Sequence, residues 1–185
     1  MTRSVSAAPP EIDSHSLRRA YGAFTTGVAV IGTHANDATP IGMTVNSFTT
    51  VSLVPPLISF CPSKSCFAFS VYCTMTHFSA NILQANQRSI SDRFARSGQG
   101  SKWEGVRFRL GEYGVPLIED ALASFECAVQ DRIEAGDHTI VIGRVLRIHD
   151  LQTAEPLLFY RSQYRAIREV QESGASDAVF LGWGL

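Results

Sequence analysis

The chain has 185 residues, 45% hydrophobic and 18% charged, enough to bury one core but too few for two independent ones. The formal net charge is −1 and the 14 arginines are scattered, so no long-range field is present to hold a polyanion and nucleic acid is not expected as a partner. No stretch approaches the roughly 20 apolar residues of a membrane span, and the first residues lack the apolar centre of a secretory signal. A cytoplasmic protein, away from membranes, is expected.

Residues 1–12 are rich in Ser, Ala and Pro and read as a flexible arm. A single domain is expected over 13–170, with 171–185 as a tail. Leu17, Ala20, Tyr21 and Phe24 fall on one helical face, with Asp13 or Ser14 as N-cap and Gly27 beyond the end, so this helix should cover a sheet. Residues 28–33 read as a strand, Asn36 and Asp37 as a turn, and 41–46 as the returning strand. Strands at 49–53 and 57–61 flank Pro55 and Pro56, whose missing amide donors interrupt sheet pairing.

Further on, 67–72 reads as helix, 77–83 as strand and 84–96 as helix, with Ile90 and Phe94 four apart on one face. A Gly-rich, aromatic connection over 98–114 leads to a long hairpin, 122–133 and 139–148, with its turn at 134–138. Alternation places Phe125, Cys127 and Val129 on one face of it. An apolar strand at 157–160 and an arginine-bearing segment to Arg168 complete the pattern. Six or seven strands with few long helices indicate a mainly β, antiparallel barrel rather than βαβ units. No G-x-G-x-x-G occurs, so a classical dinucleotide fold is disfavoured.

Cys61, Cys66, Cys73 and Cys127 contain no C-x-x-C pair and read as free thiols. Cys61, Cys66, Cys73 and His77 lack the close ligand pairs of a structural zinc site, so no metal is expected.

The chemistry is expected where hydroxyl and amide side chains interleave with apolar ones, from Gly42 to Leu57. Thr44, Asn46, Ser47 and Ser52 there are suited to hydrogen-bond a flat heterocycle while Val and Phe neighbours anchor the backbone. A Thr-rich edge strand with no ligand is the plainer reading. Ser63-Lys64-Ser65 follows a strand and precedes a helix, so hydroxyls, amides and one of the chain's two lysines converge where a phosphate fits. Those serines would equally serve as caps of that helix.

Together the pattern Thr44-x-Asn46-Ser47-Phe48, followed by Val51-Ser52-x-x-Pro55-Pro56-Leu57 and a distant Gly136-Asp137-His138, resembles the short-chain flavin reductase family. The resemblance runs from about Tyr21 to Arg168. It implies a split antiparallel β-barrel with a few flanking helices, a homodimer, and reduction of free FAD or FMN by NADH (or NADPH) for a partner flavin-dependent monooxygenase. It also implies flavin contacts from Met43, Thr44, Val45, Asn46, Ser47, Ser52, Cys61, Pro62, Ser63, Lys64, Ser65 and Phe67. Arg93 and Phe94 would flank the ribityl chain and phosphate, with Gln99 and Lys102 nearby. Phe94 would alternatively be core and Arg93 solvated.

His138, at the hairpin tip, would position the nicotinamide; otherwise it is a turn histidine bonding its own backbone. Tyr164 and Arg165 would close the dinucleotide site, or simply seal the barrel. A non-catalytic flavin or haem binder and a pyridoxine-phosphate-oxidase-like FMN enzyme are the rival readings; Gly136-Asp137-His138 argues against the second.

Overall fold

A computed structural model describes residues 12–98, 101–149 and 151–167. The proposed arm short of Ile12, the tail, Gln99 and the stretch from Arg168 lie outside the described residues. In chain order the elements are α1 (Ser14–Tyr21), β1 (Thr26–Gly27), β2 (Ala29–His34), β3 (Pro40–Val45), β4 (Thr49–Leu53), β5 (Pro56–Phe60), α2 (Phe69–Thr74) and β6 (His77–Ile82). A 3-10 turn (Ala85–Gln87) then runs into α3 (Arg88–Ala95), followed by β7 (Phe108–Leu110), β8 (Pro116–Ile118), β9 (Ala123–Ala135), β10 (His138–His149), β11 (Leu158–Tyr160) and β12 (Gln163–Arg165).

Seven strands form one antiparallel sheet in the order β3-β2-β6-β9-β10-β5-β4. Its two outer strands, β3 and β4, are consecutive in the chain and joined only by Asn46, Ser47 and Phe48. Laid flat, six interstrand spacings would set them about 29 Å apart. The link reaches at most about 14 Å, so the sheet must curl until its edges meet. The barrel is thus closed covalently at 46–48, where no ladder joins β3 to β4. This is the expected split barrel, and the seam falls on the polar run singled out above.

The barrel interior is a cluster around Ile31, Phe60, Tyr72, Phe78, Cys127 and Val141. Phe60 and Phe78 meet edge-on at 5.0 Å, and burying each such ring is worth roughly 1.5–3 kcal/mol. Phe125, Cys127 and Val129 all join this cluster, as their alternation requires. The opposite face of β9 is not solvent-facing: Ser124 and Glu126 are fully buried there. Glu126 accepts the Tyr113 N–H at 2.8 Å, the Glu112 N–H at 3.2 Å and a hydrogen bond from His149 Nε2 at 2.8 Å, which satisfies a carboxylate that would otherwise be costly to bury.

A second cluster, Val30, Leu83, Phe94, Trp103, Ile118 and Leu157, packs outside the sheet beneath α3. Ile90 and Phe94 both contribute to it, in keeping with their spacing.

Several expectations need correction. Asp13 is the N-cap of α1, its Oδ1 accepting from the His15 and Ser16 amides, but the helix stops at Tyr21 and covers no described element: none of its residues is buried, and Tyr21 and Phe24 are 71% and 78% exposed. An amphipathic pattern shows that a helix has a face to bury, not that its own chain supplies the surface. The hairpin turn is also tighter than 134–138. His138 pairs with Ala135, leaving a two-residue turn with Gly136 at φ +62, the conformation glycine accepts most readily. The segment 163–165 is a strand pairing with β11, and short β1, β7 and β8 went unforeseen because two or three residues are too few to show alternation.

Candidate active site

A cavity of about 430 Å³ opens beside the seam. One wall is β3 and the link after it: Ile41, Gly42, Met43, Thr44, Val45, Asn46 and Ser47 all line it. Since β3 pairs only with β2, its free edge faces the opening. Thr44 Oγ1 donates to the Ser91 carbonyl at 2.7 Å, fixing β3 to α3, and Ser47 Oγ accepts the Cys61 N–H at 3.0 Å, fixing the link to the end of β5. Both oxygens are held in place while keeping a lone pair. Asn46 is exposed and hydrogen-bonds no described residue, so its amide is available.

The second wall comes from residues 61–68 and the hairpin tip. Pro62 O accepts the Thr139 N–H at 3.1 Å, Lys64 N donates to Asp137 O at 2.9 Å, and Ser63 bridges His138. This backbone pairing brings Ser63, Ser65 and His138, remote in sequence, to one rim. Ser63 Oγ lies 2.8 Å from Ser65 Oγ and accepts the Ser65 N–H at 3.2 Å. The serines do not cap α2, which begins after Ala68 with no side-chain cap. His138 Nδ1 is 2.8 Å from Asp137 Oδ1; that hydrogen bond, followed by the imidazole's charge, lowers the Asp137 carboxyl below its ordinary value. Nε2 is thereby left as the nitrogen free for a ligand. Phe67 lines the cavity yet is 65% exposed, so its ring is accessible there.

The third wall is residues 94–98 and Lys102. Phe94 is buried against Trp103, ring centroids 4.7 Å apart, and reaches the cavity because Gly42 has no side chain: a Cβ there would stand 2.6 Å from the Phe94 ring. Lys102 Nζ donates to the Phe94 carbonyl at 3.1 Å, its only described partner. Burial pushes its ammonium below the ordinary lysine value of 10.5. Cys61 and Cys66 are both pushed up by burial, so they line the site as thiols rather than thiolates.

Of the expected residues, the cavity gathers Met43, Thr44, Val45, Asn46, Ser47, Cys61, Ser63, Ser65, Phe67, Phe94, His138 and also Lys102. It does not gather six others. Lys64 points to Glu134 at 3.5 Å, and Pro62 serves through its backbone. Ser52 sits on β4 beside a register irregularity, and Arg93 donates to the Glu104 carbonyl at 2.6 Å. Arg165 bonds Gln163 at 2.7 Å. Tyr164 lines an adjoining depression instead, its hydroxyl donating to Asp92 Oδ1 and receiving from Ser91 Oγ, each at 2.9 Å.

Tyr72, Arg96, Ser97 and Gly98 are lining residues that sequence reasoning missed. Tyr72 is the most telling: it is 1% exposed, and its hydroxyl has no partner among the described residues. A buried phenol with an unmet hydrogen bond on a cavity wall fits a site whose remaining partner is a ligand. The lining, polar at Asn46, Ser47 and the serine rim, aromatic at Phe67 and cationic at Lys102, fits a flavin: a flat heterocycle with alternating donors and acceptors and a phosphate-bearing chain.

The flavin reductase like domain model matches residues 21–168, and the chain belongs to that family. It is 44% identical over 147 residues to the FMN reductase (NADH) SmoA of Agrobacterium fabrum, spanning 80% of this chain and 82% of that protein. It is 36% identical over 159 residues to HsaB, the reductase subunit of a flavin-dependent monooxygenase of Mycobacterium tuberculosis, spanning 85% and 84%. The NADH:FAD oxidoreductase SgcE6 of Streptomyces globisporus, solved in complex with NAD and FAD fragments, superposes with a TM-score of 0.79 at 36% identity, over 88% of this chain and 96% of that one.

Proposed function

We propose that this chain is a flavin reductase that passes a hydride from NADH, in preference to NADPH, to FAD or FMN and releases the reduced flavin to a partner flavin-dependent monooxygenase. The observation that carries the reading is the convergence of the β3 wall, the Ser63–Ser65 rim, His138 and a half-buried Lys102 on one cavity at the barrel seam. Bound flavin would supply the two-electron acceptor. The chain's own residues bind and orient: Asn46 and Ser47 offer hydrogen bonds to the heterocycle, Phe67 an apolar face, and Lys102 a cation for phosphate. His138, held through Nδ1 by Asp137, orients the nicotinamide carboxamide. Hydride transfer requires no protein acid, so the catalytic contribution is the stacking distance and angle between two rings.

The exposed Tyr21, Phe24 and Val54 side chains support a homodimer, since such apolar faces are covered in a stable assembly. Among the described residues no helix is long and apolar enough to cross a membrane, and NADH and free flavin are both cytoplasmic solutes, which supports a cytoplasmic site of action.

Purified protein should oxidise NADH only when FAD or FMN is added, followed at 340 nm without oxygen. Unchanged absorbance with both nucleotides and both flavins would refute the reading. Tight flavin retention without turnover would favour a binding protein instead.

A further inference from the structure

Three depressions adjoin on the surface. The flavin-site cavity shares Thr44, Asn46 and Ala95 with the one that holds Tyr164. That one in turn shares Ser162 with a groove between α1 and the β11–β12 turn. His15, Arg18, Arg19 and Arg161 line this groove, and no described carboxylate does.

None of the three guanidiniums forms an ion pair with a described carboxylate. Arg161 lies over the Tyr160 ring at 5.2 Å, and Arg18 is near enough to the hairpin tip for its charge to reach Asp137, behind the larger effect of His138.

The backbone ties the two sides of the groove together. Arg161 N–H donates to Gly22 O at 2.9 Å, which pins the turn to the end of α1. Arg161 and Ser162 both have left-handed backbones, φ 47 and φ 60, where turns normally use Gly, Asn or Asp. An arginine there is not explained by the turn. Three like charges sharing a groove repel one another, and an anion with several charged oxygens relieves that repulsion.

We propose that this groove is a subsite for a phosphate of the adenosine half of a dinucleotide whose redox ring lies in the flavin-site cavity. Continuity with that cavity selects a nucleotide over free phosphate. The phosphate belongs either to the pyridine dinucleotide or to FAD. The proposal rests on the flavin reductase reading.

The test uses the full chain and ADP-ribose, which carries the adenosine and pyrophosphate but neither redox ring. Calorimetry should show binding that weakens with salt, and by on the order of tenfold in each of Arg19→Gln and Arg161→Asn. Asparagine is chosen because it tolerates the left-handed backbone. Circular dichroism melting of each variant checks that the fold survives.

Two ratios separate the sources. A fall in kcat/KM for NADH relative to reduced nicotinamide mononucleotide assigns the phosphate to the pyridine dinucleotide. A fall in FAD affinity relative to FMN assigns it to FAD. Equal ADP-ribose affinity in wild type and variants, or both ratios unchanged, overturns the subsite while flavin-dependent NADH oxidation persists. Loss of that oxidation in the wild type overturns the flavin reductase reading instead, and ADP-ribose titration still decides the groove.

Discussion

Along β3 the cavity wall is a strand whose polar side chains are already engaged by the protein, whereas at residues 94–98 and Lys102 it is a helix end and the segment after it, whose one ammonium meets no counter-ion among the described residues. Thr44 and Ser47 are held by Ser91 and Cys61; among the described residues Lys102 has only the Phe94 carbonyl. The strand wall therefore offers fixed geometry and the loop wall offers charge. A ligand with a flat ring at one end and a phosphate at the other would use both, and on the reading proposed above such a seam would select a flavin without any Gly-rich phosphate loop.

The most disruptive way to break this contrast is to push the walls apart. Gly42→Val would drive a side chain into Phe94 and Trp103, which lie 2.6 Å and 3.0 Å from a Cβ built at that position. It should cost roughly 1–3 kcal/mol in urea denaturation and abolish flavin fluorescence quenching. Wild-type stability and quenching together would show that Phe94 yields freely and that the walls are not in rigid contact.

Replacing the charge alone is gentler. Lys102→Met should lower FMN affinity relative to riboflavin by on the order of tenfold, the value of a charge-assisted hydrogen bond. Lys64→Met removes only an exposed pair with Glu134 and should change the ratio less than about twofold. The opposite ranking would return the phosphate to Ser63-Lys64-Ser65.

His138→Ala should raise the NADH KM several-fold, about 1 kcal/mol of lost positioning, while flavin affinity falls less. Equal losses for the two ligands would place His138 on the flavin instead.

The smallest effect is one of pH. Burial lowers the Lys102 ammonium, and a bound phosphate stabilises it, so above the lowered value binding must take up a proton. The preference for FMN over riboflavin should therefore decline with rising pH, starting below lysine's ordinary 10.5. Lys102→Met should flatten the profile. An unchanged slope would mean that the ammonium does not meet the phosphate.

Much of the strand wall was legible because its signal is local. Alternating Thr, Asn and Ser between apolar residues, stopped by Pro55 and Pro56, marks an exposed edge wherever the rest of the chain goes. The cysteines likewise remain unpaired thiols. The loop wall was not legible. Which of two lysines meets the cavity depends on how Trp103 docks against Phe94 and on the hairpin tip placing Glu134 beside Lys64. Neither contact leaves a periodicity to read. The same holds for Tyr72, whose side chain reads as ordinary core until its hydroxyl proves to have no partner.

From the residues alone followed the mainly β class, the strand pairs about Gly136 and the two prolines, and the polar edge that lines the cavity, since all of these rest on interactions between neighbours in the chain. Only the tertiary structure decided that a three-residue link draws β3 and β4 into a seam, that the apolar face of α1 finds no cover among the described residues, and that Lys102 rather than Lys64 faces the cavity. Such outcomes depend on long-range packing, in which a side chain's surroundings are set by segments tens of residues away.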